Sequence, residues 1–108
     1  MLGISERKIT IFLFLYKSFE NFFMKSAIDL YVIDKIREKR KELNISQRGI
    51  ADILGCSAGF VGEVESEKFV TKYSIHQLYL IAKEFECSPA EFFPPLDSDQ
   101  FLTLSAQI

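Results

Sequence analysis

The sequence predicts an all-α fold: a domain of five short helices preceded by an extra N-terminal amphipathic helix. Three observations carry that reading. From Ser26 to Phe93 the apolar residues recur at helical spacing, without the alternation of strands or the turn pairs of hairpins. Capping residues, Ser46, Ser57, Ser74 and Ser88, punctuate the stretch. The segments between periodic runs are only a few residues long, which lets successive helices share one core. With 108 residues, the chain has room for one such domain and an appended element.

Residues 1–28 make the appended element. "ITIFLFLY", residues 9–16, follows Arg7 and Lys8 and so has the charged start and apolar centre of a secretory signal. Lys17 and Glu20 interrupt the run and no A-x-A site follows, so it is not read as one. It is also shorter than the roughly 20 apolar residues a bilayer span needs. Phe12, Leu15, Phe19, Phe22 and Phe23 instead recur at helical spacing and give a helix one aromatic-rich face. That face needs cover, either from its own domain or from the same face of a second chain. A third reading stays open beside these two: a start at Met24 would leave the following domain whole.

Residues 29–95 make the domain. Ile33, Ile36 and Leu43 mark the inner face of its first helix, which Asn44 can end in the left-handed conformation. Ser46 caps the second helix, "QRGIADIL", and Ser57 the third, "AGFVGEVE". Ser74 opens the fourth, with Gln77 completing a capping box and Ile75, Leu78, Ile81, Ala82 and Phe85 as the apolar face. The fifth is short: Ser88 as cap, Pro89 in first position, Glu91 closing the box, and Pro94-Pro95 forbidding continuation. Residues 96–108 lack periodicity and read as a loosely held tail.

Composition narrows the function. The formal net charge is -2 and the pI about 5.4, so the strongly basic footprint of many nucleic-acid binders is missing. Charge is nevertheless sorted along the chain: "KIREKRKE", residues 35–42, carries five basic and two acidic side chains, whereas residues 49–93 carry three and seven. Any attraction to phosphate must be local. The basic run from Lys35 to Lys41 reads first as a solvated helix face. Cys56 and Cys87 lack a CxxC spacing, and His76 is the one histidine, which excludes a zinc site or redox pair on sequence grounds. No nucleophile–base pairing, phosphate-cradling glycine loop or metal-ligand spacing occurs. The sequence therefore reads as no enzyme, with no cofactor, metal or small-molecule substrate.

The second and third helices of the domain meet at a corner whose spacing is specific. Counting from Gln47, the fifth residue is Ala51, the ninth Gly55 and the fifteenth Val61. Ala51 is small enough for the helices to approach closely, Gly55 can take the positive φ a tight turn requires, and Val61 fills the angle between them. Ile50, Leu54, Cys56 and Val64 supply the other inward positions.

With "SQRGIADILGCSAGFVGEVE" at its centre, the chain resembles the XRE, or Cro/C1-type, helix-turn-helix domains of phage and bacterial repressors, which have a lambda-repressor-like fold. "IREKRKELNIS" is similar to the family's first helix and "LYLIAKEFECSPAEFF" to its fourth and fifth, so the resemblance covers about residues 29–94. It implies that Gln47 contacts the DNA backbone and braces the recognition helix. It also implies that Ser57, Ala58, Gly59, Gly62, Glu63 and Ser66 face the bases in the major groove, and that Arg40 and Glu65 form a structural ion pair.

The base-facing residues depart from expectation. No Arg, Lys, Asn or Gln stands between residues 56 and 66, though these are the side chains that make paired hydrogen bonds to base edges. Gly59 and Gly62 would allow close approach to the sugar-phosphate backbone, Ala58 or Phe60 could touch thymine methyls, and Glu63 could accept from a cytosine amino group. Phe60 reads equally well as core. Candidate phosphate contacts are Gln47, Arg48, Ser57, Lys68, Lys72 and Tyr73, all on or just after the helix pair. The expectation is a cytoplasmic, sequence-specific DNA-binding transcriptional regulator, a repressor, acting on double-stranded DNA as a homodimer and without a membrane. The alternative is a protein-interaction module, antitoxin-like or regulator-binding, that keeps the fold without base reading.

Overall fold

In order along the chain stand α1 (Leu2–Phe23), α2 (Ala27–Glu42), α3 (Gln47–Leu54), α4 (Ala58–Glu65), α5 (Ile75–Glu84) and one 3-10 turn (Pro89–Phe92). The structure is a computed structural model; it describes residues 2–96, leaving aside the side chains of 2–5 and 17–23. No strand occurs among the described residues. Beyond residue 96 the expected tail lies outside them.

Local hydrogen bonds explain where the helices begin. Ser26 Oγ accepts from the Asp29 amide at 3.1 Å while Asp29 Oδ2 accepts from the Ser26 amide at 2.8 Å, a full capping box that starts α2 two residues before the expected domain boundary. Ser46, Ser57 and Ser74 accept from Gly49, Phe60 and Gln77 in the same way, at 3.0–3.1 Å. Each such cap contributes about 1 kcal/mol.

Three helices also end alike. Asn44, Gly55 and Glu86 each take a positive φ, of 56°, 67° and 55°. The next amide then closes back on the carbonyl five residues earlier: Ile45 to Arg40 at 2.8 Å, Cys56 to Ala51 at 3.0 Å and Cys87 to Ala82 at 3.0 Å. This is the reversed closure that satisfies a helix's last carbonyls. A glycine announces it at position 55 and an asparagine at 44. At 86 a glutamate adopts it.

The core joins Val32, Ile33 and Ile36 of α2, Ile50 and Ala51 of α3, Val61 and Val64 of α4, Ile81 and Ala82 of α5, and Tyr73 and Phe92 from the segments after α4 and α5. Phe92 is fully buried and meets Phe85 edge-on at 6.4 Å between ring centroids. Two expectations are corrected here. Leu43, at the C-cap of α2, is 52% exposed and Ile75, first residue of α5, is 88% exposed, because both stand at helix ends beyond the reach of the facing helix. The fifth helix is short, as expected, a single 3-10 turn: Pro94 holds Phe93 in extended backbone, leaving four residues after the Ser88 cap.

α1 also departs from one reading. Residues 6–16 are all exposed, including Ile9, Ile11, Phe12, Leu13, Phe14, Leu15 and Tyr16, so this part of the helix does not fold back on the domain. The side chains of Phe19, Phe22 and Phe23 lie outside the described residues. No helix among the described residues is long and apolar enough to cross a membrane.

Candidate nucleic-acid interface

The corner between α3 and α4 rests on the three spaced residues. Ala51 and Val61 are fully buried, and Gly55 between them has φ 67°. A Cβ on Gly55 would touch nothing within 4 Å, so it is the backbone conformation that calls for glycine here.

On α4, Ser57 and Gly59 are exposed, and Ala58, Gly62, Glu63 and Ser66 are half-buried. Ser57 Oγ is engaged with the Phe60 amide, and Ser66 Oγ accepts from the Lys68 amide at 3.2 Å. Glu63 Oε2 accepts from Thr71 Oγ1 at 3.1 Å, which fixes its carboxylate at the edge of the helix. Phe60 packs against the core, its ring 6.3 Å from that of Tyr73. The outer row of α4 thus carries one acidic group among small residues.

Beneath that row, one carboxylate organises the domain. Glu65 accepts from Arg40 through Nε and Nη2, both at 2.8 Å, and from Gln47 Nε2 at 3.1 Å. Arg37 adds its guanidinium, with Nε at 3.4 Å from Glu65 Oε1 and Nη2 donating to the Glu65 carbonyl. Arg40 also donates to the Ile45 carbonyl at 3.0 Å. Burial pushes the Glu65 carboxyl up, but the hydrogen bonds from Arg40 and Gln47 and the two guanidinium charges outweigh it and hold the group below its ordinary value. The hydrogen bond to Glu65 is the largest cause raising Arg40 in turn.

The cations named from sequence are distributed unevenly. Lys68 is exposed, and Arg48, also exposed, lies 3.6 Å from Asp52 one helical turn on. Lys72 pairs with Asp29 at 2.8 Å. Burial pushes Asp29 up, yet the bonds from Lys72 and Ser26 win and lower it. Tyr73 is corrected as a phosphate contact: it is 8% exposed, and its enclosed hydroxyl has no hydrogen-bond partner among the described residues. Its ring belongs to the core, between the exposed Lys72 and Ser74 in the segment before α5. Within the basic run 35–41, Arg37 and Arg40 turn toward α4; Arg40 is buried and Arg37 half-buried.

Lys25 escaped sequence reasoning altogether. Its ammonium reaches the Val64 and Ser66 carbonyls at 2.6 Å each and the Glu63 carbonyl at 3.3 Å. Only the long sequence separation of these contacts kept Lys25 and Arg37 from view. Among the described residues no group of His, Cys, Asp or Glu could hold a metal ion, and Cys56 and Cys87 are free thiols.

A helix-turn-helix family model matches residues 36–92, spanning the corner, the second part of α2, all of α5 and the 3-10 turn. Among solved structures the chain is similar to the restriction-modification controller protein C.AhdI from Aeromonas hydrophila, at 27% identity and a TM-score of 0.50. That similarity covers 60% of this chain and 97% of the controller. The comparison with curated proteins gave no match.

Proposed function

The chain belongs to the XRE-type helix-turn-helix family, and from that premise we propose that it is a sequence-specific transcriptional regulator, a repressor, that lays α4 in the major groove of duplex DNA. The observation that carries the reading is the pairing of a rigid corner with an outer face of α4 free of bulky side chains. Ala51, Gly55 and Val61 set the angle, the Arg40–Glu65–Gln47 network fixes the far end, and Ser57, Gly59 and Gly62 leave room for the helix to sit deep.

Phosphate contacts come from Gln47 and Arg48 at the start of α3, where the helix dipole also favours an anion, from Ser57 at the start of α4, and from Lys68. Glu63, held by Thr71, accepts from a cytosine amino group, and Ala58 offers its methyl to thymine. Phe60 stays with the core. So few base-reading groups make one module weak. A homodimer on two half-sites multiplies its affinity through effective concentration, and the exposed apolar residues of α1 offer a face for the second copy. The site of action is the cytoplasm.

One observation favours a second reading, a protein-interaction module: α4 presents Glu63 and no cation, while Lys72 is engaged by Asp29. Retention of sheared genomic DNA at about 100 mM salt, followed by sequencing, decides between them. A recurrent two-fold site supports the repressor. Uniform or negligible retention by folded protein supports the module.

A further inference from the structure

α4 lacks the closure that ends α2, α3 and α5. α2, α3 and α5 are each followed by a left-handed residue whose successor bonds back to the helix, but α4 ends at Ser66 with φ -96° and ψ 132°, in extended backbone. The Glu63 carbonyl accepts from the Ser66 amide at 3.1 Å and the Ser66 carbonyl from the Phe69 amide at 3.4 Å, but the extended ending returns no amide to the Val64 and Glu65 carbonyls. Two cations from other parts of the chain take them instead. Lys25 places its Nζ 2.6 Å from the Val64 carbonyl, 2.6 Å from that of Ser66 and 3.3 Å from that of Glu63, so the ammonium's three N–H donors are all spent. Arg37 donates to the Glu65 carbonyl between them. A cation at this end also meets the negative pole of the helix.

The placement of Lys25 makes the contact a brace. Ser26, its neighbour, is fixed as the N-cap of α2 by the capping box with Asp29, so the lysine's backbone is anchored while its head holds a helix 38 to 41 residues further on. Burial is the largest cause lowering the Lys25 ammonium below its ordinary value, followed by the nearby Arg37 charge, in keeping with a cation drawn away from water.

We infer that Lys25 is a positioning residue for DNA reading: it fixes the last turn of the recognition helix against α2, in place of a C-terminal closure, and does not itself contact phosphate. This rests on the proposed function, and it assigns to the residue directly after Met24 a part in setting how α4 meets the groove. A phosphate-contacting lysine would make the opposite prediction for salt.

The test uses the full chain, as Lys25→Met, which keeps the stem and removes the donors, and as Lys25→Arg, which keeps the charge. Without DNA, amide exchange in the last turn of α4, including the Ser66 amide that bonds to the Glu63 carbonyl, is expected to quicken about tenfold in Lys25→Met, the size of one charge-assisted bond. The amides of Ile81 and Ala82 are expected to keep their protection, and Lys25→Arg to retain most of the protection of α4. Unchanged exchange in Lys25→Met would overturn the inference. With a duplex of about 30 base pairs carrying the sequence most enriched from genomic DNA, long enough for two half-sites, Lys25→Met is expected to bind about tenfold more weakly with an unaltered slope of affinity against salt. A slope reduced by about one would show a phosphate contact and overturn the inference. Equal binding by wild type and Lys25→Met would do the same. Wild-type protein that retains no DNA would instead overturn the DNA-reading function itself.

Discussion

Arg40 and Glu65, 25 residues apart, meet side-on, with Nε to Oε2 and Nη2 to Oε1 both at 2.8 Å. Their side chains are 11% and 6% exposed, so water does little to screen the pair. Removing one partner leaves the other charged, enclosed and without its fork of bonds. Arg40→Ala is expected to destabilise the domain by about 3–5 kcal/mol in a urea melt. A loss under about 1 kcal/mol, the scale of an exposed pair, would show that the pair does not organise the α2–α4 contact.

The same pair predicts how stability responds to acid. Glu65 has a folded value held below its ordinary 4.5, and Asp29, paired with Lys72, one below its ordinary 3.8. For each, the unfolded chain binds a proton first as pH falls, so the stabilisation is complete above the ordinary value and is lost as pH drops through the folded one. Unfolding free energy is therefore expected to be level in this respect above about pH 5 and to decline below 4.5. Glu65→Gln should be less stable at neutral pH and show a shallower decline. An equally steep decline in Glu65→Gln would assign the acid sensitivity to other carboxylates.

How much of this was legible in the sequence follows from the range of each interaction. Ser46, Ser57, Ser74 and Ser88 could be named as caps because the amide each one bonds lies only two or three residues ahead. The Ala51, Gly55 and Val61 corner was legible for a similar reason, since one short turn fixes it. Periodicity identified helix faces without showing where the opposite helix stops, which is why Leu43 and Ile75 were placed inside. Tyr73 was read with its neighbour Lys72 as surface, but Lys72 is exposed and Tyr73 buried, and only the core decides which of two neighbours outside a helix enters. Lys25 and Arg37 act across 28 to 41 residues, beyond any local pattern.

α1 carries the expectation about assembly. Phe12 and Leu15 are 66% and 59% exposed, so replacing them removes no contact inside the domain. In a dimer paired through this helix, the double variant Phe12→Glu with Leu15→Glu is expected to shift the particle to monomer mass in light scattering while the helical signal in circular dichroism stays. An unchanged oligomer would place the interface elsewhere.

Gly59 and Gly62 carry the last expectation, and its strength lies in two effects of opposite sign. Each glycine within a helix costs about 1 kcal/mol relative to alanine. Space inside the protein does not require either. A Cβ on Gly59 would lie 3.8 Å from Ser57 Oγ and one on Gly62 3.7 Å from Gln47 Oε1, both ordinary contacts. Gly49 in α3 is the contrast, since a Cβ there would come within 2.7 Å of Ile45 Cγ2. Gly59→Ala and Gly62→Ala are therefore expected to raise stability by about 0.5–1 kcal/mol each in a thermal or urea melt. If the helix sits deep in the groove, the same added methyls obstruct the sugar-phosphate backbone, and retention on DNA falls as stability rises. Loss of binding in a destabilised variant could come from unfolding; loss in a stabilised one comes from the interface. Stabilised variants that bind DNA as well as wild type would show that close approach is not what these glycines provide.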